Sequence, residues 1–264
     1  MRKALGVLLV LLLAAPAFAA MSAARLEEIA TKDVIPEIQM AAGLALVDYY
    51  AANKTEAELE ELATGGATEA IRTAATLALS RVWIGKDMEY RDLIELVNDP
   101  DQPAPLRAAA VDALLEFLIG KDDSTLETIY TLGRTAEMRY AGAKAYFFKN
   151  RSKFKLADLE AICLDEANPD GYRKAAAELL AGNYLFPPTT AKSQGELEDQ
   201  ALNGENEYLR YAASQALFTL VVQSDLSEVD LLKKVTSFYL NEAFTEEYKD
   251  AYIRALAARW AAGL

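Results

Sequence analysis

Residues 70–79 read "AIRTAATLAL", and the same shape returns as "PLRAAAVDAL" at 105–114 and "YLRYAASQAL" at 208–217. Apolar residues fall at i, i+3, i+4, i+7 and i+8, as in Ile71, Ala74, Ala75, Ala78 and Leu79. That spacing is one stripe of an amphipathic helix. Four further copies align with these: "EIQMAAGLAL" (37–46), "EMRYAGAKAY" (137–146), "GYRKAAAELL" (171–180) and "EYKDAYIRAL" (247–256). The seven starts advance by 33, 35, 32, 34, 37 and 39 residues, and a period in this range marks a stacked-repeat array. Much of the stripe is alanine, which lets helices approach closely at little cost in side-chain entropy.

A shorter helical pattern precedes each copy. It is clearest when "ARLEEIATKDVIPEIQMAAGLAL" (24–46) is set beside "AELEELATGGATEAIRTAATLAL" (57–79). Later versions are "YRDLIELV" from Tyr90, "TLETIYTL" from Thr125, "LADLEAICL" from Leu156, "ELEDQAL" from Glu196 and "EVDLLKKV" from Glu228. Thr55 with Glu58, Ser124 with Glu127 and Ser193 with Glu196 fit the capping box that satisfies free N–H groups at a helix start. Gly85 and Gly120, in two copies of "IGKD", are expected to end motif helices in the left-handed conformation. Pro100, Pro103 and Pro105 crowd the turn into the third motif helix, where missing donors do no harm. With no strand signal and no long linker, the expected fold is all-α: one domain over residues 20–264, an α-solenoid of about seven two-helix repeats.

The first twenty residues, "MRKALGVLLVLLLAAPAFAA", have a basic start, an uncharged apolar run and small residues at the close. This predicts a signal peptide over 1–19, cleaved after Ala19. The uncharged run from Ala4 to Ala19 is shorter than the roughly 20 residues of a spanning helix. The expected location is therefore periplasmic or extracellular, with no stable membrane insertion after cleavage. The single cysteine, Cys163, has no partner for an internal disulfide and reads as a small buried residue. The formal charge is −13, and loss of Arg2 and Lys3 with the leader makes it more negative. Such a surface repels phosphate backbones and argues against nucleic acid as a partner.

The motif of an apolar residue, Arg, Ala-Ala and a closing Ala-Leu resembles the HEAT-like repeat of the phycobilisome-lyase type, over nearly the whole mature chain. Arg72, Arg107, Arg139, Arg173 and Arg210 match the family's arginine position. The resemblance implies that this column is structural, pairing with acids in the inter-repeat turns. Glu69, Asp170 and Glu207 stand three residues before an arginine and are the expected partners. Gln39 and Lys249 depart from the column at the first and last copies, where terminal capping repeats are expected. A tetratricopeptide array has a compatible period, but its Trp, Leu-Gly and Tyr pattern is not reproduced.

Histidine is absent, which removes imidazole acid–base catalysis, His-activated nucleophiles and His-ligated metals. Asp99 and Asp101 in "NDPDQP" lack the spacing of a calcium loop and are read as a turn pairing with Arg107. No phosphate-binding loop, dinucleotide fingerprint or nucleophile elbow is found. No metal and no cofactor is expected, and the leader argues against the intracellular bilin-lyase activity of related repeat proteins. Among 13 tyrosines, Tyr140 and Tyr211, with Phe147, Phe148 and Phe218, fall at motif-helix positions and are assigned to packing.

The resemblance places the short helices on a concave face, where non-core positions include Glu58, Glu61, Asp92, Glu95, Glu127, Thr128, Asp158 and Glu160. This acidic row is the expected contact for a basic peptide or protein segment. The function read from sequence is a non-enzymatic scaffold in the cell envelope. A carboxylate-based hydrolase of an envelope polymer, or a structural spacer, are the alternatives. The fifth unit carries an insertion, "NYLFPPTTAKSQ" (183–194), of the kind that often bears function.

Overall fold

The computed structural model describes residues 21–86, 88–186, 191–241 and 243–263. The proposed leader and its cleavage point, and residues 187–190 of the insertion, lie outside these. The described residues form fifteen α-helices and no strand. They alternate short helix and motif helix: α1 (Ala23–Lys32) and α2 (Pro36–Ala45), continued after a break at Leu46 by α3 (Val47–Asn53); α4 (Glu56–Gly65) and α5 (Glu69–Gly85); α6 (Tyr90–Asn98) and α7 (Ala104–Ile119). There follow α8 (Asp123–Leu132) and α9 (Ala136–Asn150); α10 (Leu156–Leu164) and α11 (Asp170–Leu185); α12 (Gln194–Asn203) and α13 (Glu207–Gln223); and α14 (Glu228–Leu240) with α15 (Glu246–Ala261). The expected fourteen elements become fifteen through the break at Leu46. No described helix is long and apolar enough to cross a membrane.

Six of the seven short helices are anchored by a buried leucine followed one turn later by a second buried residue: Leu26 and Ala30, Leu59 and Ala63, Leu93 and Val97, Leu159 and Cys163, Leu197 and Ala201, Leu231 and Val235. Burying such a leucine contributes about 1.5–3 kcal/mol. Cys163 therefore occupies a column of small apolar residues, and its thiol is pushed up to about 12 chiefly by burial. In the motif helices the tenth position buries Leu46, Leu79, Leu114, Leu180, Leu217 and Leu256.

The chain divides into two compact units, Met1–Ala78 with Val221–Leu264, and Leu79–Leu220. In the second unit α7, α9 and α11 lie side by side, and α6, α8 and α10 each rest on their own motif helix. The alanine pairs Ala109/Ala110 and Ala175/Ala176 are buried between these helices, as their spacing predicts.

The arginine column is built in two ways. Repeats two, four and six share Gly-x-Thr/Asn-x-x-x-Arg. Gly66, Gly133 and Gly204 follow the short helices, and Arg72, Arg139 and Arg210 donate back to their carbonyls at 2.8, 2.8 and 3.2 Å. A Cβ on these glycines would lie 2.5, 2.7 and 2.5 Å from the carbonyl oxygens of Leu62, Ile129 and Gln200, so a side chain does not fit. Between them, Thr68, Thr135 and Asn206 cap the motif helix and also donate to the carbonyls of Ala30, Val97 and Cys163 in the preceding repeat. One residue thus satisfies a helix start and ties two repeats together.

Repeats three and five instead carry Pro-x-x-x-Arg from Pro103 and Pro169; their arginines also donate back, Arg173 Nε to the Cys163 carbonyl at 3.0 Å, and in addition reach forward. Arg107 bonds Glu137 at 3.1 Å, two positions earlier in the motif of repeat four. Arg173 lies 4.3 Å over the ring of Tyr208, at the same position in repeat six. The carboxylates expected as partners of Arg72 and Arg173, Glu69 and Asp170, are replaced by backbone carbonyls and this ring, because the i, i+3 path runs along the helix while the guanidinium turns back over the turn. Asp99 likewise accepts from the amide of Asp101 at 3.0 Å, and Arg107 takes the carbonyls of Pro100 and Gln102.

In the first unit α15 and α14 pack on α2, so the last repeat docks on the first. Lys249, which stands in the arginine column, pairs with Glu37 at 3.6 Å. Gln39, also in that column, donates to the carbonyl of Asp33 six residues back, as Arg72 does to Gly66. Both departures from the arginine column thus have partners within the first unit. Two local expectations also change. Gly120 ends α7 in the right-handed region at φ −73°, and no glycine described takes a positive φ. The cap of α8 is Asp122, whose carboxylate accepts from the Thr125 amide at 2.8 Å, so Ser124 and Glu127 form no capping box. The boxes at Thr55/Glu58 and Ser193/Glu196 are formed.

Candidate functional site

Two polar features stand out in the second unit. The first is a ladder at the eighth motif position, where Asp112, Lys144 and Glu178 project from α7, α9 and α11. Lys144 Nζ lies 2.7 Å from Asp112 and 3.6 Å from Glu178. Glu178 also accepts from the hydroxyls of Tyr140 and, at 3.2 Å, Tyr211. Burial opposes the charge on Lys144, but Glu178 and Asp112 outweigh it and hold the pKa above its ordinary value. Burial first, and then the Glu178 charge, keep Tyr140 protonated far above the usual phenol range. Lys174 rests over the rings of Tyr140 and Tyr211, 4.8 and 5.9 Å from their centroids. Lys144, Tyr140 and Tyr211 each have a carboxylate acceptor here, so the ladder fastens motif helices together.

The second feature departs from that rule. At the position after the short-helix leucine, where six repeats bury Ala, Val or Cys, repeat four has Tyr130. The tenth motif position, leucine in six repeats, is Tyr146, and the second position of repeat five is Tyr172. Room is made by Gly142, which replaces an alanine found in most copies. A Cβ there would lie 2.9 Å from the Tyr130 amide nitrogen, so α8 and α9 touch backbone to backbone. Tyr146 follows one turn later on the same side and meets the Tyr130 ring at 5.6 Å, edge on. Tyr172, at the start of α11, lies 4.8 Å from Tyr130, 6.3 Å from Tyr146 and 4.7 Å from Phe147, and Phe154 packs 6.2 Å from Tyr146.

All three tyrosines are partly exposed. Among the described residues none of their hydroxyls makes a hydrogen bond, whereas Tyr140, Tyr184 and Tyr211 each donate to a carboxylate. Half-buried phenols ordinarily find such a partner. Burial, followed by the Glu127 charge, raises the pKa of Tyr130; burial, the two neighbouring phenols and Glu127 raise that of Tyr172. The trio therefore presents three phenol hydroxyls, each able to donate and to accept, beside one carboxylate. The sequence carried this signal in its column departures, which are visible only when the repeats are aligned position by position.

The acidic row is distributed over both units. Glu58 and Glu61 belong to the first unit, and Asp92, Glu95, Glu127, Thr128, Asp158 and Glu160 to the second. Glu58 caps α4 through Thr55, whose hydroxyl and amide hold its pKa low, and Asp158 accepts from the Lys155 amide at 3.0 Å. Glu95 is bonded by Arg91 at 2.9 Å, and the Thr128 hydroxyl donates to the Ser124 carbonyl at 3.0 Å. Glu160 accepts from Tyr184 at 3.1 Å with Lys192 at 3.9 Å. Glu61, Asp92 and Glu127 are exposed, and Glu127 alone adjoins the tyrosine trio.

The described end of the insertion borders an open depression of about 330 Å³ lined by Lys192, Glu196, Asp199, Gln200 and Asn203. These side chains engage one another or their own helix: Lys192 bonds Gln200, Glu196 caps α12 and Asn203 donates to Asp199. Among the described residues no group of three or more Cys, Asp or Glu is placed to hold a metal ion. Comparison with known proteins finds no matching family model, no similar curated protein and no similar solved structure.

Proposed function

We propose that this chain is an exported α-solenoid of HEAT-like repeats that acts as a non-enzymatic scaffold, binding a protein or peptide partner in the cell envelope. One observation carries this reading: three adjacent phenols, drawn from α8, α9 and α11, occupy columns that are aliphatic or small in nearly every other repeat, and their hydroxyls have no partner among the described residues. Tyrosine combines apolar area with a polar tip and few rotatable bonds, which suits it to recognition surfaces. Repeat arrays present such surfaces across successive units. The carboxylates that share one face, Asp112 and Glu178, are engaged by Lys144 and two phenols, an arrangement that supports fastening rather than hydrolysis.

The test is crosslinked capture from envelope extracts by the purified protein and by its Tyr130→Phe/Tyr146→Phe/Tyr172→Phe form, which keeps the rings and removes the hydroxyls. A partner held by the parent and lost by a variant with unchanged melting supports the assignment. A partner held equally by both moves the site elsewhere, and capture by neither overturns the scaffold reading.

A further inference from the structure

One stretch of repeat four inverts the charge of the chain. Residues 138–157 carry six basic residues and no acidic one, in a protein whose formal charge is −13. Arg139 and Lys144 are engaged within the fold, and the other four, Lys149, Arg151, Lys153 and Lys155, gather at the turn after α9. From this turn and the side chains around it we infer a membrane-contact surface, which docks on a bilayer displaying anionic lipid headgroups. The inference goes beyond the scaffold reading and uses none of the three tyrosine hydroxyls.

The fold holds these cations outward. Helix α9 ends at Asn150, which is buried and donates to the Tyr146 carbonyl at 3.1 Å, and Phe154 packs 4.9 Å from the Phe147 ring. Between these two pins lies a single 3₁₀ turn, Arg151–Lys153, whose three residues are all exposed, as is Lys155 after it. A turn fixed at both ends loses little entropy on meeting a surface. Asp123 reaches it, 3.0 Å from Lys149 and 3.4 Å from Lys153, and is shared between the two. Asp122 and Asp158 are engaged at the starts of α8 and α10. Among the described residues Arg151 and Lys155 pair with no carboxylate.

Apolar side chains sit among the charges. Phe148 is 50% exposed near the end of α9, with the Arg151 guanidinium 5.4 Å from its ring centre. The end of α7 repeats the combination: Phe117 is 40% exposed and lies 5.6 Å from Tyr90, whose ring carries Lys121 at 4.5 Å. Lys149 donates to the Lys121 carbonyl at 2.6 Å, which joins the two turns into one edge. A soluble polyanion gains from the cations alone. A bilayer takes both components, since its headgroups pair with the basic side chains while an exposed phenylalanine enters the acyl boundary. The acidic remainder of the protein opposes this weakly, because exposed charges more than about 8 Å from the headgroups are largely screened at physiological salt. Such an edge gives reversible peripheral attachment and needs no spanning helix.

The experiment is sedimentation with vesicles of phosphatidylcholine alone and of equal parts phosphatidylcholine and phosphatidylglycerol. It uses residues 20–264, which contain every described helix and omit the apolar leader as a source of binding. Binding to the anionic vesicles only is expected, and concentrated salt should release it. Arg151→Gln/Lys153→Gln/Lys155→Gln is expected to weaken it about a hundredfold, at about fivefold for each basic residue near the surface. Phe148→Ser should weaken it about threefold or more. Lys32→Gln/Arg134→Gln/Lys233→Gln changes the net charge equally from exposed positions elsewhere and should bind as the parent does. Every altered residue is exposed, so melting should be unchanged throughout. Absence of binding to anionic vesicles, equal binding by the first triple variant, or equal weakening by the charge-matched one overturns the inference. So does vesicle binding that ignores Phe148→Ser while inorganic polyphosphate is held as tightly, which assigns the turn to a soluble polyanion instead. The capture test of the tyrosine cluster stands or falls separately.

Discussion

Lys249 Nζ lies 3.6 Å from Glu37 Oε1, and these residues hold the third and first motif positions of the last and first repeats. Arg107 and Glu137 hold the same positions in repeats three and four, 3.1 Å apart. The likeness extends to a shared deficit: Glu37 Oε2 and Glu137 Oε2 are both buried without a partner. The docking of α15 on α2 is thus an inter-repeat contact of the ordinary kind. Removing Lys249 as Lys249→Ala leaves the mostly buried Glu37 carboxylate unpaired and is expected to cost about 1–3 kcal/mol. Lys249→Arg should cost less than half of that. Denaturant unfolding of the two variants decides it, and equal losses would show that charge pairing is not what holds this contact.

The turn glycines give a sharper contrast. Gly133→Ala drives a Cβ to within 2.7 Å of the Ile129 carbonyl oxygen and is expected to destabilise by about 1–3 kcal/mol. Gly65→Ala, at the last residue of α4 with nothing within 4 Å, is expected to be neutral or stabilising by about 0.5 kcal/mol. Melting temperatures moving in the same direction for both would contradict the steric account.

Arg139 donates to the Gly133 carbonyl, and its loss strands that acceptor in a half-buried turn. Arg139→Ala is expected to cost about 1–3 kcal/mol and Arg139→Lys about 1 kcal/mol, because an ammonium has the charge but lacks the guanidinium's reach and fixed donor geometry. Paired unfolding curves measure this.

Stability should fall at both ends of the pH scale, for opposite reasons. Glu58, Glu196, Asp122 and Asp230 accept hydrogen bonds at helix starts and have lowered pKa values. Their contribution is complete above the ordinary values of 4.5 and 3.8 and is lost as pH falls below them. Burial works against the Lys249 charge, but Glu246 and Glu37 raise its pKa above 10.5, so its contribution is complete below that value and lost as pH rises through the folded pKa. Melting followed across pH should show a flatter acid limb in Glu58→Gln/Glu196→Gln and a flatter alkaline limb in Lys249→Ala.

The helical architecture was legible because "AIRTAATLAL" and its copies carry their period, stripe and caps within ten residues. The alternation of Gly-x-Thr/Asn-x-x-x-Arg with Pro-x-x-x-Arg is also present in the sequence, but a single arginine column hid it. The contact of Lys249 with Glu37 could not be read, since sequence spacing does not say which repeats meet without a connecting turn. The acidic row follows from the resemblance and from non-core position, and neither separates a carboxylate that caps a helix, such as Glu58 or Asp158, from one free to bind. Tyr130, Tyr146 and Tyr172 do not stand out among thirteen tyrosines, because an aromatic in a core column of a helix is ordinarily core. What sets them apart is that all three depart from their columns and meet in one cluster.

The pairing of Lys249 with Glu37 also bears on how this chain folds and frays. In a linear array the outermost units have one neighbour, open first, and exchange their amide protons fastest. Here α2 is covered by α15, so amides in the first motif helix should be protected as well as those of an interior one. The same contact joins residues about 200 positions apart, a long loop to close before the stack is complete. Deleting α15 should therefore loosen the N-terminal helices of the first unit as much as the C-terminal ones.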